Sequence, residues 1–98
     1  LKKESVIDAS LKEFKLQPDV TDKDIKAWEV YLEQVIKSVQ KGNKATVQWV
    51  PEGQIIFHYE GSKPGTIENE KFARAFLNIW LGEKTSRPKL RNQLLNNS

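Results

Sequence analysis

Few residues in this 98-residue chain can carry chemistry. There is one histidine, His58, and neither cysteine nor methionine. The lack of cysteine excludes a disulfide framework, thiol catalysis and cysteine-based zinc binding. A single histidine excludes a multi-histidine metal site. A Ser-His-Asp relay would need His58 beside a serine and a carboxylate, and the sequence has no nucleophile elbow. A histidine on a strand is more commonly a partly exposed or hydrogen-bonded side chain. The carboxylates form two close pairs, Asp22 with Asp24 and Glu68 with Glu70. Each pair is expected in the first turn of a helix, where negative charge complements the helix dipole without any catalytic duty. The run Gly61-Ser62-Lys63-Pro64-Gly65 has glycines but lacks the Lys-Ser/Thr pair of a phosphate-binding loop. The residues thus assign no catalytic group, no metal ligand and no cofactor.

Charge narrows the partners. The formal net charge is +3, and it is uneven. Residues 1–41 carry 8 basic and 8 acidic side chains, while residues 61–98 carry 7 basic and 3 acidic. The excess gathers at Lys84, Arg87, Lys89 and Arg91. This cluster reads first as the solvated face of a terminal helix. A nucleic-acid footprint needs a longer basic stripe with exposed aromatics, so no nucleic-acid partner is expected. Docking of this basic segment on an acidic partner or an anionic membrane surface is the interaction-class alternative. No apolar run approaches the ~20 residues needed to span a bilayer.

The elements that must position these residues follow from hydrophobic period. Ile7, Leu11 and Phe14, with Val6 beside them, predict a helix over 4–16 that stops before Pro18. Thr21 reads as an N-cap, with Asp22 and Asp24 in the turn that follows. Ile25, Trp28, Leu32, Val35, Ile36 and Val39 then predict a second helix running to Lys41, with Gly42 as its C-terminal cap. The period changes to two at Ala45. Val47, Trp49, Ile55, Phe57 and Tyr59 share one face of a hairpin turning at Pro51-Glu52-Gly53, and that face is expected to be buried. The other face carries Thr46, Gln48, Ile56 and His58 and is mixed. After the 61–65 loop, a third helix is expected from about Thr66. Phe72, Ala75, Phe76, Ile79 and Trp80 form its apolar stripe and Gly82 its end. Trp28 and Trp80 are therefore core candidates. Ser86 and Pro88 would open a short fourth helix packing Leu90, Leu94 and Leu95, ahead of a frayed tail.

The order helix, helix, hairpin, helix, helix segregates helices from strands and argues an α+β fold with an antiparallel sheet in a single domain, residues 1–98. A lone hairpin is marginal in water and leaves two open edges. Pairing with another chain, or with strands preceding Leu1, is expected to satisfy them. A sequence that begins at Leu1 rather than Met reads as processed or as a fragment.

One ordered set of segments is similar to a known family. The strand Thr46-Val47-Gln48-Trp49-Val50 is followed by Pro51-Glu52-Gly53, a second strand over 55–59 and a glycine-containing loop. Next come Ile67-Glu68-Asn69, a helix ending in Ile79-Trp80-Leu81-Gly82, a Ser/Pro turn and a Leu-rich segment. Together they resemble the C-terminal half of the chalcone isomerase superfamily, and especially its bacterial chalcone isomerase-like branch. The resemblance implies an open-faced antiparallel β-sandwich with a helical layer, of which the strands before Leu1 are missing. In the plant enzymes of this family a chalcone is closed to a flavanone by intramolecular oxa-Michael addition. An early Arg and Thr, a Tyr and Asn near the first helix, and a late loop Thr line that cleft. The segment Glu4–Leu16 has neither Tyr nor Asn, and only Thr66 is a candidate for the late Thr.

Other branches of the family bind fatty acids or act without catalysis. The resemblance therefore implies a non-catalytic domain that binds a small apolar or carboxylated ligand between sheet and helices. Gln48, Ile56, His58 and Thr66 are its candidate wall. The bland alternative is that these four face solvent or the missing strands. The resemblance also implies a periplasmic or otherwise secreted setting. The enzyme alternative is a chalcone isomerase-type intramolecular lyase or isomerase.

Overall fold

Each helix begins where a side-chain oxygen accepts from one of its first free amides. In the computed structural model, which describes residues 2–81, the Thr21 hydroxyl accepts from the Asp24 amide at 3.1 Å and the Asp24 carboxylate accepts from the Thr21 amide at 3.0 Å. This reciprocal capping box starts helix α2, Asp22–Val35. Helix α1, Lys3–Lys15, has no such cap of its own. Its first amide, that of Lys3, donates instead to the Ser38 hydroxyl at 2.9 Å, so a residue 35 positions away caps the helix. Helix α3, Glu70–Leu81, follows Asn69, whose side-chain carbonyl accepts from the Phe72 amide at 2.9 Å.

The second helix is shorter than its periodicity predicts. It ends at Val35, and Ile36 is extended, with φ −76° and ψ 134°. The apolar spacing continues through Ile36 and Val39, but tertiary bonds hold the backbone straight. The Lys37 amide donates to the Tyr59 hydroxyl at 3.0 Å, and Ser38 is engaged at the start of α1. Two adjacent β-branched residues at the helix end reduce the local preference for continuing it.

The hairpin forms as expected, with β1 at Ala45–Val50 and β2 at Gln54–Tyr59. Its register pairs Val47 with Phe57 and Gln48 with Ile56. The turn places Glu52 as well as Gly53 at positive φ, 81° and 97°. Gly53 is also pressed on α3: a Cβ there would lie 2.8 Å from the Glu70 Cα. A third strand, β3 at Gly65–Glu68, stands where the third helix was expected to begin. It pairs antiparallel with β2, giving the order β1-β2-β3. The alternation of Thr66, Ile67 and Glu68, with a β-branched residue on each face, suits a short strand bounded by Gly65 and the Asn69 cap. Glu68 therefore lies on a strand, and only Glu70 of that carboxylate pair sits in a helix first turn.

The fold is α+β, and the described residues place three helices on one face of an antiparallel three-stranded sheet. Ile55, Phe57 and Ile67 point from the sheet into the core. Phe72 of α3 lies within 6.2 Å of the rings of Phe14, Trp28, Tyr31 and Phe76, and Phe76 in turn meets Phe57 edge-on at 5.6 Å. Such edge-to-face contacts add specificity to the area they bury. Two expectations for the core are corrected. Trp49, on the helix-facing side of β1, is 52 % exposed, and the described helices pack on β2 and β3 rather than on that strand. Val47 and Tyr59 are only half-buried. The Trp80 side chain, Gly82 as a helix end, the basic cluster from Lys84 to Arg91 and the Leu90–Leu95 helix lie outside the described residues.

Candidate functional site

The register of the sheet brings the four predicted residues together. Gln48 on β1, Ile56 on β2 and Thr66 on β3 stand side by side in one row across all three strands. His58 is one step along β2 on the same face, and its Nε2 lies 2.8 Å from the Gln48 Oε1. Ile56 and His58 are half-buried, whereas Gln48 and Thr66 are exposed. Side chains alternate across a strand, so this row points away from the face that carries Ile55, Phe57 and Ile67. The expected location between sheet and helices is therefore corrected: the four residues lie on the sheet's outer face. Thr66 is also a strand residue and not part of the loop before α3.

The same face holds residues outside the candidate wall. The next row pairs Val50 with Gln54 and Gln54 with Glu68. The Gln54 side-chain amide donates to the Glu68 carboxylate at 2.8 Å. Thr46 lies opposite His58. The surface is thus an apolar centre, Ile56, framed by amide, hydroxyl and imidazole groups, with the one carboxylate at its lower corner held by Gln54. Their shared face follows from period-two spacing, but the row across β3 depends on a strand that the reading of a third helix concealed.

Such a surface can accept hydrogen bonds from a ligand at the Thr66 hydroxyl and donate to it from the same group, while Ile56 offers apolar contact. Among the described residues no Ser or Thr hydroxyl is hydrogen-bonded to His58, whose Nε2 is engaged with Gln48. Among the described residues no group of three or more His, Asp or Glu side chains is placed to hold a metal ion. No described helix is long and apolar enough to cross a membrane.

Two other depressions mark the described surface. One, of about 440 Å³, lies under the hairpin turn between Glu52, Gln54, Glu68 and Glu70. The other, of about 310 Å³, runs between Gln17 and α3 beside Lys71 and Arg74. Both cations are already paired: Lys71 with Asp24 at 2.6 Å, and Arg74 with Glu70 at 3.2 Å. The Lys71 ammonium holds the Asp24 carboxyl below its ordinary value, assisted by the Thr21 amide. Burial raises the Tyr59 phenol above its ordinary value, against a smaller opposing effect of the Lys37 amide.

A family model described as chalcone isomerase-like matches residues 1–96, and the chain belongs to that family. No curated protein and no solved structure matches it.

Proposed function

We propose that this chalcone isomerase-like chain is a non-catalytic binding domain for a small apolar ligand with a polar or carboxylate end, of fatty-acid type, acting outside the cytoplasm. The observation that carries this reading is the row Gln48–Ile56–Thr66 with His58 beside it. A half-buried aliphatic side chain ringed by polar groups suits an acyl or aryl body with one polar end. The ligand would lie on the outer face of the sheet, with its polar end toward the His58–Gln48 pair.

The test is titration with a fluorescent long-chain fatty acid, followed by its emission change. The Ile56→Glu variant is expected to weaken binding at least tenfold, by placing a charge where the apolar body would lie. Saturable binding that is unchanged by Ile56→Glu, or no binding at all, would overturn the reading. Membership of the family favours one competing reading, isomerase activity on a chalcone. Loss of chalcone absorbance at a rate above that of buffer, abolished in a Thr66→Ala variant, would establish that activity instead.

A further inference from the structure

We propose that the open edge of β1 is a self-pairing surface, which joins two copies of this chain through an antiparallel β1–β1 ladder centred on Val47.

The argument begins with ladder parity. The Glu60 amide donates to the Lys44 carbonyl at 3.1 Å. In an antiparallel pair, hydrogen-bonded and non-bonded positions alternate. Thr46, Gln48 and Val50 therefore turn their amides and carbonyls toward β2. Ala45, Val47 and Trp49 turn theirs outward, and no described residue bonds them. Three N–H and three C=O groups thus line one straight edge.

The two edges of the sheet differ in protection. β3 has four residues, includes Glu68, and follows Lys63 and Pro64. Short length, charge and proline are the usual devices that stop strand addition. β1 has six residues, Ala45-Thr46-Val47-Gln48-Trp49-Val50, with no charge, proline or glycine.

The β1 edge is also complementary to itself. When Val47 is set opposite Val47 of a second copy, Ala45 falls opposite Trp49 and Thr46 opposite Gln48. All six outward groups of each copy then find partners. Lys44 of each copy comes diagonally across from Glu52 of the other, so opposite charges meet at both ends. The two-fold axis stands normal to the sheet, which leaves both helical layers on one side of a continuous six-stranded sheet. Trp49 lies in the seam between those layers, where its own helices leave it 52 % exposed. There it would rest on Ala45 and Val47 of the other copy, a large side chain set against small ones.

Sedimentation velocity over a wide concentration range tests this on the 98-residue chain. The expected species is a dimer. Val47→Pro removes an outward amide and leaves the β1–β2 ladder intact. It is expected to raise the dimer dissociation constant about 100-fold, since one hydrogen bond is lost from each copy. Register is read separately. The natural chain has no cysteine, so Val47→Cys supplies a unique thiol at the two-fold axis. The roughly 5.5 Å Cα separation of a hydrogen-bonded pair permits a disulfide across it. Glu68→Cys on the β3 edge should form none. Ala45→Glu and Trp49→Lys should each weaken association, and the double variant should restore it. A monomer at every concentration overturns the proposal. So does a dimer that crosslinks through Glu68→Cys and not Val47→Cys, or a double variant that fails to recover association.

Discussion

The two faces of the three-stranded sheet are built from the same strands, one residue out of step, yet they do different work. On the inner face Ile55 and Phe57 are 0 % and 3 % exposed, locked under α3 and the aromatic cluster around Phe72. On the outer face their neighbours Ile56 and His58 are only half-buried, beside polar Gln48 and Thr66. Ile55 and Ile56 are the same residue type at adjacent positions, so intrinsic preference cannot separate them. The difference is the helical layer. A side chain carries stability in proportion to the surface it removes from water, and the described helices cover the inner face.

Truncation should divide the faces most sharply. Phe57→Ala is expected to cost about 3–5 kcal/mol, because a buried ring leaves a cavity against Phe76. Ile56→Ala should cost about 1 kcal/mol or less in the free chain. Urea denaturation of the two variants checks this. Equal losses would mean that the outer face is also covered and would break the comparison.

A smaller effect is expected where the turn holds the sheet to α3. Gly53→Ala forces a Cβ to 2.8 Å from the Glu70 backbone at φ 97°. It should cost about 2–3 kcal/mol, from strain in the left-handed region together with crowding. Thermal melting would show it as a drop of roughly 10–20 °C. An unchanged melting temperature would mean that the hairpin turn does not set the position of the inner face.

Tyr59 stands at the rim of the inner face, and its raised pKa makes that rim sensitive to base. The folded chain favours the neutral phenol, so this contribution to stability is complete below about pH 10, the ordinary value of tyrosine, and is lost as pH rises through the higher folded value. A Tyr59→Phe variant should show a shallower alkaline loss of stability than the natural chain. Identical alkaline slopes would place Tyr59 outside the covered region. The smallest expected effect lies at the acid end, where α2 and α3 are tied by Asp24 and Lys71. The lowered Asp24 pKa contributes stability above about pH 4 that is lost as pH falls through the lower folded value. Asp24→Asn should flatten that acid limb, and a chain that keeps the full acid slope would show that the tie is inert.

Much of the fold was legible because its signals are local. The N-cap at Thr21, the stripe of Val6, Ile7 and Phe14, and the alternation of Ile55 with Phe57 each depend on neighbours in the chain. Three of the four candidate residues share a face for the same reason, since Gln48, Ile56 and His58 follow the period-two spacing of the hairpin, whereas Thr66 is named from the family resemblance. β3 escaped because its four residues were read as the approach to a helix, although Asn69 just after them is a strong N-cap residue. The end of α2 escaped because apolar spacing continues past Val35. No local signal says that Tyr59, 22 positions on from Lys37, will take that amide.

Residue order alone determined the α+β class, where α1, the start of α2 and the hairpin lie, which hairpin residues share a strand face, and that cysteine and multi-histidine chemistry are unavailable. These follow from chain covalency, local hydrogen bonding and side-chain period. Tertiary structure decided which face of the sheet the helices cover, that Trp49 lies beyond their reach, that Ser38 caps a helix 35 residues away, and that the candidate site lies on the outer face. Each of these depends on surfaces distant in sequence meeting in space, and the free energy of that meeting belongs to no single segment.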